Sequence, residues 1–257
     1  MIDTHAHLYG KKFEGDLDET IERAKSVGIT KILLPNIDES SVDEMLEVAD
    51  QNPGFCYPMM GIHPCSVNKE WKKQVDFVSD WLKKDDRFIA VGEIGTDLYW
   101  DKSLFEEQKQ ALIGQITLAA EHDLPIVLHC RDSIDETIEI VAEQKNKYPS
   151  LKGIFHCFTG DLEQYKKIVD LDFLVGLGGV ATFKNGGMDK VIPDMNPSKI
   201  VLETDSPYLA PVPFRGKRNE PAYTEYVAEK VADLLGMPLS ELKKITAENA
   251  EELFELK

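Results

Sequence analysis

A chain of 257 residues, 42% of them hydrophobic, can bury a full-sized core, and single barrel domains reach this length. Its formal net charge of −17 excludes broad electrostatic adhesion to nucleic acid or an anionic membrane, since such binding needs basic residues that displace counterions. The four cysteines, Cys56, Cys65, Cys130 and Cys157, make no C-x-x-C pair, which excludes a ribbon-type zinc site and a dithiol redox motif and suits a reducing compartment.

The first apolar run, residues 1–5, follows no basic leader, and no later stretch is long enough to cross a bilayer. A soluble cytoplasmic protein is expected, with no membrane attachment and no obligate protein partner. Helical periodicity follows over residues 16–27, then a β-type run at 30–36, a helix over 39–50 and a third run at 55–62. The fourth run, 88–92, leads to a helix over 104–122, and the fifth, 125–129, to one over 133–147. Runs at 153–156, 173–177 and 199–202 precede a helix over 223–235, and residues 239–256 read as one additional helix capped by Ser240. Eight β-type runs alternating with helices in an undivided chain predict an α/β fold, a (β/α)8 or TIM barrel, as a single domain over residues 1–257 with an extra C-terminal helix. A doubly wound sheet would need a glycine-rich phosphate turn after its first strand, and Thr4-His5-Ala6-His7 cannot serve as one. The stretch Gly176-Leu177-Gly178-Gly179 reads as a bend at the barrel rim rather than a phosphate cradle.

Of six histidines, five stand at or just beyond the end of a run: His5, His7, His63, His129 and His156. Barrels of this class build their active sites at those strand ends. His5 and His7, two apart on an extended chain, face the same way. A single strand histidine is ordinarily a hydrogen-bonded core residue, whereas five on one rim pack poorly and ligate metal well. Glu93 and Asp205 follow the fourth and eighth runs, and a carboxylate at a barrel mouth is costly unless paired or metal-bound. Glu203, deeper on the face of Asp205, is expected to pack or to support a ligand. The set His5, His7, Glu93, His129, His156 and Asp205 exceeds one tetrahedral shell and suits two divalent cations, with Glu93 bridging them. His5, His7 and Asp205 would hold one ion and His129 and His156 the other, and the mixed donors admit zinc, manganese, magnesium or iron. Cys130 and Cys157 each follow a ligand and, by strand alternation, are expected to face the helical layer.

The segments Ile2-Asp3-Thr4-His5-Ala6-His7-Leu8, Gly61-Ile62-His63-Pro64, Val91-Gly92-Glu93-Ile94-Gly95-Thr96-Asp97, Leu128-His129-Cys130-Arg131, His156-Cys157-Phe158-Thr159-Gly160 and Leu202-Glu203-Thr204-Asp205-Ser206-Pro207-Tyr208-Leu209 together resemble the TatD family of metal-dependent deoxyribonucleases, a branch of the amidohydrolase-like barrels. They span nearly the whole chain in order, and the run over 175–179 is more glycine-rich than that pattern. The resemblance implies two divalent metals and hydrolysis of DNA phosphodiester bonds, with 3'-to-5' exonuclease action on single strands. A glutamate at the bridge, where cyclic-amide hydrolases of this fold are expected to use a carbamylated lysine, favours P–O over C–N cleavage.

On this reading Glu93 and Asp205 are catalytic, Asp205 orienting or deprotonating the attacking water. His63 and Arg131 share the rim, and Arg215, Lys217 and Arg218 form the densest cationic stretch. All five are expected to contact the DNA backbone. The alternatives are an ion pair of Arg131 with Asp132 or Asp135, and a solvated charge run at 215–218. Two further functions stay open: a C–N or ester hydrolase acting on a cyclic amide, lactone or aminoacyl ester, and a metal-carrying binding module without catalysis.

Overall fold

The eight apolar runs form eight parallel strands in the computed structural model of the protein, which describes residues 1–256. They are β1 Ile2–Asp3, β2 Lys31–Pro35, β3 Cys56–Met59, β4 Val91–Asp97, β5 Ile126–Arg131, β6 Gly153–Phe155, β7 Leu174–Leu177 and β8 Ile200–Leu202. Strands β1 to β3 pair in order, as do β4 to β8. At one seam Ala6 bridges Ser206, Thr4 N donates to Leu202 O and Asp205 N to His5 O. At the other Met60 bridges Val91 and Gly92 N donates to Met60 O. The fold is the expected (β/α)8 barrel, and the expected domain runs to Lys257, which lies outside the described residues.

The helices are α1 Leu17–Ser26, α2 Val42–Gln51, α3 Trp71–Lys84, α4 Phe105–Glu121, α5 Ile134–Lys147, α6 Leu162–Asp170, α7 Thr224–Leu235 and α8 Leu239–Leu253. Helices α3 and α6 were not among the predicted segments, for a visible reason. In α3 only Gln74, Val78 and Leu82 are buried, a stripe one residue wide among lysines and aspartates. In α6 burial is limited to Tyr165 and Ile168, and a capping box of Asp161 and Gln164 marks its start. After β7 no α-helix forms: four 3₁₀ turns occupy Gly179–Thr182, Met188–Lys190, Ile192–Asp194 and Pro197–Lys199, where glycines and prolines interrupt any longer helix. Ser240 is not the cap of α8. It lies inside the helix, and Pro238 precedes it with φ −61 and ψ 135, its carbonyl taking the first amide hydrogen bonds from Glu241 and Leu242.

One residue at or beside each strand faces inward at the same level: Ile2, Leu33, Met59, Ala90, Val127, Ile154, Leu174 and Val201. Ala250, Leu253 and Phe254 of the C-terminal segment pack onto this layer, so the extra helix closes the end of the barrel opposite the strand tips. Side chains alternate along a strand. The next inward position above Val127 is therefore His129, above Ile154 His156, and above Val201 Glu203. The apolar plug below thus fixes the height at which the polar ring sits.

Candidate metal centre

Strand β4 does not stop at Gly92 but continues to Asp97, with a register shift between Val91 and Ile94. Such an irregularity re-aims a side chain, and here Glu93, 2% exposed, points into the centre of the ring. Five imidazoles surround it. His5 Nε2 and His7 Nε2 lie 3.0 and 3.5 Å from Oε2, and His63 Nε2, His129 Nδ1 and His156 Nε2 lie 3.4, 3.0 and 2.8 Å from Oε1. A carboxylate has about four lone-pair sites, so ordinary hydrogen bonding does not account for five nitrogens.

The outer partners differ among the rings, and for His7 the partner fixes which nitrogen carries the proton. Tyr9 spends its hydroxyl hydrogen on Pro35 O, so at 2.9 Å it must accept from His7 Nδ1. His129 places Nε2 2.9 Å from Asp97 Oδ2, and His156 Nδ1 faces Glu203 Oε1 at 3.5 Å. In His7 the outer nitrogen therefore holds the proton and the inner one presents a lone pair, the state a metal ligand needs, whereas for His129 and His156 burial is outweighed by the carboxylates on either side, which raise their pKa values. Imidazole nitrogens and carboxylate oxygens that converge on one buried point form a donor set that fits a bound cation. His63 is the exception. Its Nδ1 accepts from Cys65 N at 3.0 Å, which leaves Nε2–H as a donor suited to an anionic oxygen rather than to metal.

Three overlapping groups have ligand atoms within 4.8 Å of one another: His5, His7 and Asp205; His5, Glu93 and His156; and His63, Glu93 and His129. The first is one of the expected trios. The remaining members meet through Glu93, whose Oε1 is shared by His129 and His156 although the two fall in different groups. Burial alone would neutralise Glu93, but its interactions with the surrounding imidazoles, His156 foremost, outweigh it and hold the carboxyl well below its usual range.

Asp97, Tyr9 and Asp3 were not singled out from the sequence. Asp97 shares the face of Glu93 by strand alternation, a signal hidden by ending the run at Gly92. Burial acts against its charge, yet the hydrogen bonds from His129 and the backbone N–H groups of Trp100 and Tyr99 prevail and hold its pKa low. Asp3 is fully buried and accepts from Thr204 N and Oγ1 and from His5 N, which ties the backbone of two ligand loops together. Burial raises its pKa to about 8. Tyr9 yields a test: Tyr9→Phe removes the acceptor of His7 Nδ1–H and should cost about 10 to 100-fold in metal affinity, read by competition with a chromogenic chelator. Unaltered affinity would show that the tyrosine does not set the His7 tautomer.

Glu203 supports His156, as expected, and its Oε1 also accepts from Cys157 N at 2.6 Å. The glycines of run seven serve this carboxylate. A Cβ on Gly176 would stand 2.1 Å from Glu203 Oε2, and one on Gly179 would stand 1.9 Å from Leu209 O. They allow close approach of the β8 loop, not merely a bend. Cys130 packs against the helical layer. Cys157 departs from the alternation assumed for it, because β6 ends at Phe155 and Cys157 has φ 48.

The expected substrate contacts are scattered. Arg131 pairs with neither Asp132 nor Asp135; its guanidinium lies 3.6 Å over the ring of Tyr99. Arg218 is committed to Asp16 through two 2.6 Å hydrogen bonds and anchors the β8 loop on the entry of α1. Arg215 stacks over Phe183 at 3.7 Å and Lys217 over Phe214 at 5.8 Å, and both are exposed.

The family model described as TatD related DNase matches residues 2–255. The chain is 37% identical over 257 residues to the metal-dependent hydrolase YabD of Bacillus subtilis, covering 100% of this chain and 99% of that one. It is 29% identical over 262 residues to the 3'-5' ssDNA/RNA exonuclease TatD of Pectobacterium carotovorum, covering 100% of both. Among solved structures, the TatD homologue YjjV of Escherichia coli superposes with TM-score 0.91 at 28% identity, covering 100% of this chain and 98% of that one.

Proposed function

Because the chain belongs to the TatD-related DNase family of metal-dependent hydrolases, we propose that it cleaves phosphodiester bonds of DNA, acting 3'-to-5' on single strands. The observation that carries this reading is the Glu93 carboxylate ringed by the inward-facing nitrogens of His5, His7, His129 and His156, with a hydrogen-bond donor, His63 Nε2–H, at the same carboxylate. His5, His7 and Asp205 would hold one divalent cation and His129 and His156 a second, with Glu93 shared. When bound, such ions acidify water and offset charge on a phosphoryl oxygen. His63 donates to a phosphate oxygen, and Arg131 offers the free edge of its guanidinium to the next one. Asp205 takes the proton of the attacking water. A cytoplasmic setting is part of this reading and rests on four unpaired thiols; among the described residues no helix is long and apolar enough to cross a membrane.

Digestion of end-labelled single-stranded DNA, compared with duplex DNA, dihydroorotate and simple carboxylic esters, tests the reading. A ladder receding from the 3' end supports it, and turnover confined to amides or carboxylic esters overturns it. Arg215 and Lys217, exposed beside the mouth, are the proposed backbone contacts, with Arg218 holding their loop in place. Arg215→Gln with Lys217→Gln should raise KM for oligonucleotides several-fold and flatten its salt dependence by about two counterions. An unaltered slope would return both residues to the solvent.

A further inference from the structure

The large hydrophobic side chains left exposed are Tyr99 at 50%, Trp100 at 69%, Tyr208 at 49% and Val212 at 46%. All four stand on loops after β4 and β8; Tyr99, Trp100 and Tyr208 lie beside the metal centre, the first two through Asp97 and the third against His7, while Val212 faces α7. Tyr99 and Trp100 are also built into the centre mechanically. Their backbone N–H groups donate to Asp97 Oδ1 at 2.9 and 3.0 Å, while Asp97 Oδ2 meets His129 Nε2 at 2.9 Å. The two rings stand at 90° with centroids 5.0 Å apart, and Arg131 covers Tyr99 at 3.6 Å and lies 5.6 Å from Trp100. Tyr99 is thus clamped between a cation and an indole, and Trp100 is left with the most exposed aromatic face on the protein.

Charge makes that face consequential. A net charge of −17 opposes a polyanion at long range, and one of the two guanidinium groups of the β8 loop, Arg218, is already neutralised by Asp16. Beyond the few phosphate contacts proposed above, affinity for a nucleic-acid strand then draws on interactions that release few counterions, and stacking of unpaired bases on aromatic rings is such an interaction. From these observations, and resting on the nucleic-acid reading above, we infer that Trp100, held by the Tyr99–Arg131 stack, is a nucleobase platform that seats an unpaired base next to the phosphate being cleaved. Bases in a duplex have no free face to offer it, so the platform selects single strands and is indifferent to the sugar's 2'-hydroxyl.

The test is anisotropy of a fluorescein-labelled, phosphorothioate-linked oligothymidylate titrated with the metal-loaded protein. Trp100→Ala should weaken binding about ten-fold while leaving the slope of log Kd against log salt unaltered, and Trp100→Phe should restore most of the loss. An oligonucleotide with abasic residues should bind the unsubstituted protein as weakly as oligothymidylate binds Trp100→Ala, with no further loss when both changes are combined. Equal affinity for Trp100→Ala, a shifted salt slope, additive losses, or no binding by the unsubstituted protein each overturns the platform. Because binding is read on a strand that resists cleavage, a protein that shows the stacking signature but digests no DNA overturns the nuclease reading alone.

Discussion

Glu93→Ala is expected to abolish turnover, by at least about 10³-fold, and to bring bound divalent metal from two equivalents to less than one. The magnitude follows from the several kcal/mol that metal ions contribute to a transition state, at about 1.4 kcal/mol per decade. The breadth of the effect follows from position. One carboxylate lies within 3.5 Å of a nitrogen from each of five histidines, so its loss touches every proposed histidine ligand at once. His129→Ala should instead remove chiefly one equivalent, since Asp97 is the only other group fixing that ring. The backbone at Glu93 donates to Asn36 O and sits within β4, and the fold should survive both changes, as a thermal melt would show. Elemental analysis after reconstitution, with turnover on a single-stranded oligonucleotide, decides the matter. Two equivalents and near-normal turnover in Glu93→Ala would mean that the bridge lies elsewhere.

The barrel was legible because its two periodicities differ in kind. Runs such as 125–129 and 199–202 are continuously apolar, as strands covered on both faces must be, and the helices between them carry single apolar faces. Legibility failed where few side chains are fully buried or where the chain breaks into short turns. Helix α3 buries three residues of fourteen, and the connection after β7 is made of 3₁₀ turns. The ring of candidate ligands was legible because titratable residues at the ends of buried strands have few other reasons to be there. Their partners were harder to see, since what identifies Tyr9 or Asp97 is an atom-to-atom hydrogen bond that sequence spacing permits but does not require. The cationic stretch misled in part for the same reason. Three basic residues in a row of six look alike on paper, yet Arg218 is paired with an aspartate about 200 positions away, and only the folded chain separates it from Arg215 and Lys217.

Asp205 is the more accessible of the two carboxylates at the centre. Its side chain is 15% exposed against 3% for Glu93, and Oδ1 lies 3.6 Å from His7 Nε2 and 4.0 Å from His5 Nε2. Its backbone is held at both ends, the N–H donating to His5 O and the carbonyl accepting from Tyr208 N, with φ at 56. Asparagine tolerates that left-handed conformation where alanine is strained, so Asp205→Asn is the cleaner probe: it keeps an oxygen donor and the backbone but cannot accept a proton. If Asp205 is the base, kcat on an oligonucleotide should fall by about 10² to 10⁴-fold, while metal content falls far less and KM stays within a few-fold. A loss of metal in proportion to the loss of turnover would make Asp205 a ligand only, and retained turnover would assign the proton to another acceptor on the rim.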